Sequence, residues 1–130
     1  MLPVQTRQIA SPPCRILVIE DNKDGRDSLR MLLSLLGHRV DVAADGLEGV
    51  RKALEIHPDV IIVDIGLPKL SGYQVARLLR TALGPSVTLI AHTAYDRDDR
   101  LEVDFDTWLI KPVELSELLP WLKKKGREPD

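Results

Sequence analysis

"DVIIVDIGLP" runs from Asp59 to Pro68. Val60, Ile61, Ile62 and Val63 are apolar and β-branched, with no polar residue between them. Such a run reads as a strand covered on both faces, the pattern of a parallel sheet. It ends in a charge, Asp64. A buried strand that carries a carboxylate to its own carboxyl end raises the question of what gathers there.

The flanking segments alternate between two periods. "RILVIE" (15–20) is a short apolar run, and Leu29, Leu32, Leu33 and Leu36 then recur at helical spacing until Gly37 stops them. "RVDVAA" (39–44) alternates at period two. Asp45-Gly-Leu-Glu48 resembles a capping box and opens a helix that runs to His57 and is ended by Pro58. After the 59–64 strand, Ser71-x-x-Gln74 is a second capping box, and Val75, Ala76, Leu79 and Leu83 line a helix that Gly84-Pro85 stops. "SVTLIA" (86–91) and "DTWLI" (106–110) read as further strands, and Leu115, Leu118, Leu119 and Leu122 as a final amphipathic helix. Strands alternating with helices imply parallel pairing through right-handed crossovers. The expected fold is α/β: a doubly wound five-stranded parallel sheet, helices on both faces, in the flavodoxin-like order 2-1-3-4-5.

The 130 residues suffice for one domain with a hydrophobic core. Apolar residues make up 44% and charged residues 29%, ordinary for a soluble globular protein. A net charge of −2 gives no basic field for nucleic acid, and no apolar run reaches membrane-spanning length. The N-terminal stretch "MLPVQTRQIASPPC" lacks a signal pattern, so a cytoplasmic location is expected. Cys14 is the single cysteine, which rules out an internal disulfide, and no Cys/His cluster suggests zinc. We expect a flexible tail or linker over 1–13, a domain over 14–124 and a C-terminal tail over 125–130.

In an open parallel sheet, ligands bind outside the carboxyl ends of the strands, near the point where strand order reverses. Glu20-Asp21 follow the first strand, Asp64 ends the third, Thr93 the fourth and Lys111 the fifth. In the expected order these residues converge. Three carboxylates in one cleft repel each other, and Lys111 offsets only part of that charge. The donors are all oxygen, which favours Mg²⁺ or Mn²⁺ over zinc. A carboxylate beside a divalent cation, a hydroxyl and an ammonium suits phosphoryl transfer to the carboxylate. The plainer readings are a surface carboxylate at Asp64, capping of the next helix by Glu20-Asp21, a strand threonine at Thr93 and a solvated lysine at Lys111.

The stretches "ILVIEDN", "VDIGLPKLSGYQVARLLR", "IAHTA" and "WLIKPV" resemble the receiver domain of two-component response regulators, over roughly residues 14–124. The resemblance implies that Asp64 is the phosphoacceptor, that Asp21 and Asp64 ligate Mg²⁺ directly, that Glu20 acts through a water, and that the Gly66 carbonyl adds a further oxygen. It implies that Thr93 bonds a phosphoryl oxygen and moves on phosphorylation, that Lys111 pairs with the phosphoryl group, and that the Lys111-Pro112 bond is cis. Trp108 stands at the switch aromatic position, though it also fits plain core. Tyr95 and Gly66 flank the site and would tune the dephosphorylation rate. The implied partners are a histidine kinase or histidine phosphotransfer protein and a downstream protein; from charge and hydropathy, neither nucleic acid nor membrane insertion is expected. "DIGLP…GYQVAR" is a form often seen in receivers attached to, or working beside, hybrid histidine kinases. A stand-alone regulator, or a receiver from a longer hybrid protein, is expected.

Thr93 to Lys111 is about one helical turn shorter than the family spacing. "AYDRDDRLEVDFD" there is crowded with charge, so the helix between strands four and five is expected to be short or irregular. One rival reading is an adaptor that is not phosphorylated and docks through residues 94–106. Another is a small phosphatase of similar topology. Haloacid-dehalogenase-type phosphatases place a second acid two residues after the nucleophile, where this chain has Gly66. No Gly-rich phosphate loop follows the first strand, which disfavours nucleotide binding.

Overall fold

A computed structural model of the chain describes residues 13–94 and 104–125. Tyr95, the core of the 94–106 segment expected to hold a short helix or an adaptor surface, and most of both expected tails lie outside the described residues.

The described elements, in chain order, are β1 (Arg15–Ile19), α1 (Lys23–Leu35), β2 (Arg39–Ala43), α2 (Gly46–Ile56), β3 (Val60–Asp64), α3 (Gly72–Leu83), β4 (Thr88–Thr93), β5 (Thr107–Ile110) and α4 (Leu115–Lys125). All strand pairs are parallel, in the expected order β2-β1-β3-β4-β5. β3 sits at the centre and is buried along its whole length, as its unbroken apolar run implies.

The first three helix starts each have a local cause. Asn22 caps α1, its side chain accepting from the Gly25 N–H. Glu20 and Asp21 are therefore not the cap. Asp45 caps α2 by accepting from the Glu48 N–H, but the Glu48 carboxylate reaches back to the Ala44 N–H, so the expected box closes one residue early. Ser71 and Gln74 form the full reciprocal box at α3. Gly37, at φ 97°, lets the chain leave α1. β4 begins at Thr88 rather than Ser86, because the turn after Gly84 delays the ladder until the Thr88 N–H meets the Asp59 carbonyl.

Strand alternation splits the core in two. Leu17, Ile19, Ile61, Val63 and Leu89 pack on one face with Ala53, Val75 and Leu79 of α2 and α3. Ile16, Val18, Val60, Ile62, Ile90 and Leu109 pack on the other with Leu33, Leu118 and Leu122 of α1 and α4. α3 reaches the sheet closely only because residue 72 is glycine. A Cβ there would stand 2.6 Å from the Asp64 carbonyl oxygen and 2.6 Å from Ile65 Cα.

Candidate functional site

The same alternation decides which polar residues meet. Continuing the α1/α4-facing series past each strand gives Glu20 after Ile16 and Val18, Asp64 after Val60 and Ile62, His92 after Ile90, and Lys111 after Leu109. Parallel register aligns these ends, with Ile19 beside Val63 and Asp64 beside His92.

Glu20, Asp21 and Asp64 each offer a carboxylate oxygen, and these oxygens all lie within 4.8 Å of one another. Glu20 and Asp64 are buried, and Asp21 is exposed. Lys111 bridges the buried pair: its Nζ is 2.7 Å from Glu20 Oε1 and 3.4 Å from Asp64 Oδ2. The other Glu20 oxygen accepts from the Asn22 N–H at 3.1 Å. Asp64 Oδ1 accepts from the Gly66 N–H at 3.0 Å. This bond engages the Gly66 N–H and leaves its carbonyl, the expected further metal ligand, a separate question.

Burial pushes the Glu20 carboxyl above its ordinary value; Lys111 and the Asn22 N–H pull it back, while Asp64 adds to the rise. For Lys111, burial works against the charged form, but Glu20 and Asp64 outweigh it and hold the ammonium above its ordinary value. The site therefore keeps its one ammonium at neutral pH. Its donors are hard oxygens, they are close enough to share one ion, and their charge exceeds what Lys111 offsets; this set fits Mg²⁺.

Thr93 ends β4, one position beyond the His92 that pairs with Asp64, and is buried. Its carbonyl accepts from the Lys111 N–H at 2.7 Å, which ties the ends of β4 and β5 together. The Lys111-Pro112 bond is cis. Trp108 points to the opposite face from Lys111. It packs against Tyr73 of α3 and Phe105, with ring centroids 5.9 Å apart in each case. Tyr73 belongs to the quoted "GYQVAR", yet its contact with Trp108 depends on register, not on local sequence.

Two neighbours of the site have no counterpart in the sequence reading. His92 lines a groove of about 670 Å³ between α1 and the segment leading into α4, alongside Glu20 and Lys111. Burial, and then the Lys111 charge, lower its pKa to about 4 against the pull of Asp64, so the imidazole is neutral at physiological pH. Strand parity was the signal that placed it there. Arg26, one turn into α1, donates through Nη1 to the Glu20 carbonyl at 3.0 Å and the Asp21 carbonyl at 3.4 Å.

Comparisons with known proteins give the family and the fold. The family model described as the response regulator receiver domain matches residues 16–123. A curated relative, response regulator MprA of Mycobacterium sp. (strain KMS), is 38% identical over 111 residues, which are 82% of this chain and 48% of that protein. The chain thus spans about half the length of the curated relatives it matches. Among solved structures, response regulator TrrA of Thermotoga maritima, in complex with Mg²⁺–BeF, superposes with a TM-score of 0.78 at 32% identity, covering 85% of this chain and 96% of that one. A chain from the Saccharomyces cerevisiae co-crystal of the histidine phosphotransfer protein Ypd1 with the Ssk1 receiver domain gives a TM-score of 0.80 at 25% identity, covering 90% and 91%. Among the described residues, no helix is long and apolar enough to cross a membrane.

Proposed function

Because this chain belongs to the response regulator receiver domain family, we propose that it is a phosphorylation switch whose acceptor is Asp64. The observation that carries the reading is the meeting of the Glu20, Asp21 and Asp64 oxygens within 4.8 Å, with Lys111 on two of them. The donor is a phosphohistidine on a histidine kinase or a histidine phosphotransfer protein. An Asp64 carboxylate oxygen attacks the phosphorus, the histidine nitrogen leaves, and an aspartyl-phosphate forms.

Glu20, Asp21 and Asp64 would hold Mg²⁺, Glu20 through a water, and the ion would supply charge neutralisation for the phosphoryl oxygens. Lys111 moves part of its pairing from Glu20 to a phosphoryl oxygen, where negative charge is spread in the transition state. The Thr93 hydroxyl donates to another phosphoryl oxygen, which draws in the end of β4. Through the Thr93–Lys111 backbone bond and the neighbouring Trp108, that movement reaches β5 and the face that a downstream protein reads. The same site, with Gly66 flanking it, sets the rate at which water removes the phosphoryl group.

The groove beside Lys111 supports the choice of donor. Ser28, Leu29 and Leu32 of α1 form one wall, and Val113 and Leu115 the other. It gives an apolar seat for the helical face that presents the donor histidine, with the reacting end at Lys111. The test is incubation with acetyl phosphate and Mg²⁺, read by intact mass. The expected result is one added phosphoryl group that is lost when EDTA is present. No gain, under conditions that modify a control receiver, would favour an adaptor that is not phosphorylated.

A further inference from the structure

We infer that Arg26 is a positioning residue for the metal site, holding the turn from which two of its three carboxylates project. This rests on the reading of that site as a Mg²⁺ site. The β1 ladder ends at Ile19, so the Glu20–Asp21 turn has left the sheet. Besides the Asn22 N–H on the Glu20 carboxylate, three further contacts fix it. The Glu20 N–H donates to the Ala43 carbonyl at 3.0 Å. The Asn22 side chain caps α1. Arg26 Nη1 spans the carbonyls of Glu20 and Asp21, at 3.0 and 3.4 Å.

These two carbonyls belong to consecutive peptide groups, the ones that follow the Cα atoms of the two acidic residues. One nitrogen bonded to both therefore fixes the two peptide planes, and with them the directions in which both side chains leave the backbone. The task is real because the three carboxylates repel each other before any cation arrives. Arg26 is half-buried and reaches back from the first turns of α1, so the rigid helix supports the turn. Its guanidinium also sits beside the acidic cluster as fixed positive charge. Without the two hydrogen bonds, that charge would oppose a cation; with them, it organises the ligands.

The opposing signs make the test sharp. Mg²⁺ alone is titrated by calorimetry into the parent, Arg26→Ala and Arg26→Lys proteins, with folding checked by circular dichroism. Arg26→Gln serves if the alanine variant does not fold. The account expects Arg26→Ala to weaken Mg²⁺ binding about tenfold, the scale of lost outer-shell support, with Arg26→Lys in between. Phosphorylation by acetyl phosphate should fall at limiting Mg²⁺ and recover at saturating Mg²⁺, since Arg26 does not touch the phosphoryl group. Unchanged or tighter Mg²⁺ binding in a folded variant overturns the inference and leaves the site reading intact. A parent protein that binds no Mg²⁺ overturns both.

Discussion

Lys111 lies closer to Glu20 than to Asp64, 2.7 Å against 3.4 Å. Its first task before any phosphoryl group arrives is therefore to neutralise a buried glutamate. Lys111→Ala strands that carboxylate. A partly buried charge left unpaired costs on the order of 1–3 kcal/mol, which urea denaturation at neutral pH should reveal. The sign with pH follows from Glu20. Its folded value is raised above the ordinary 4.5 by burial, and loss of the ammonium raises it further. The deficit should thus be small in acid and grow as pH rises through 4.5 and above. A variant as stable as the parent at neutral pH would show that the pair contributes nothing. At this scale the sequence was legible in part. Residue type and strand-end position singled out Glu20, Asp21, Asp64, Thr93 and Lys111. It did not show which acid Lys111 favours, since that depends on side-chain reach across positions 91 residues apart.

At the scale of elements, the approach of α3 to β3 controls where Asp64 sits. Gly72 donates its N–H to the Ile65 carbonyl at 3.0 Å, and a Cβ at Gly72 would collide with the backbone of Asp64 and Ile65. Backbone atoms cannot rotate aside as a side chain can. Gly72→Ala should therefore cost about 1–3 kcal/mol, the usual scale of overpacking, and slow phosphorylation by displacing the acceptor. Unchanged stability and rate would mean that the α3 start yields freely. Elements with local causes were readable: the Ser71/Gln74 box joins residues three apart, and the apolar runs announced the strands. Non-local ties were not. Arg80 of α3 donates to the carbonyls of Gly84, Val87 and Asp104 and to the Asp106 carboxylate, binding α3 to the starts of β4 and β5. Nothing in "ARLLR" marks it apart from a surface arginine. The Tyr73–Trp108 ring contact is hidden for the same reason.

At the scale of the whole molecule, two core layers share one sheet, and the α1/α4 layer holds two buried or half-buried imidazoles. One is His38, with Nδ1 accepting from the Cys14 N–H at 2.9 Å and a buried Nε2 that has no hydrogen-bond partner among the described residues. Burial lowers its pKa, and burial with the Lys111 charge lowers that of His92 to about 4. Both values fall below the 6.5 of an unfolded histidine. The unfolded chain then binds more protons than the folded one, so stability is full above 6.5 and is lost as pH falls toward 4. For His92 the slope approaches ~1.4 kcal/mol per pH unit in that window, and His38 adds to the decline with the same sign. Melting temperature measured from pH 7.5 to 5 in EDTA should decline, and His92→Asn should flatten part of the decline. A flat parent profile would contradict the burial of these rings as neutral groups. None of this was visible in a sequence where the three histidines share no local pattern.

The claim on which the rest depends is that the acceptor is the carboxylate at the end of the central strand. Borohydride reduction after treatment with acetyl phosphate and Mg²⁺, followed by peptide mass mapping, converts an acyl-phosphate into a readable mark at its own residue. The account predicts the mark at Asp64 and none in an Asp64→Asn protein. A mark on another residue, or equal labelling of the Asp64→Asn protein, would contradict it.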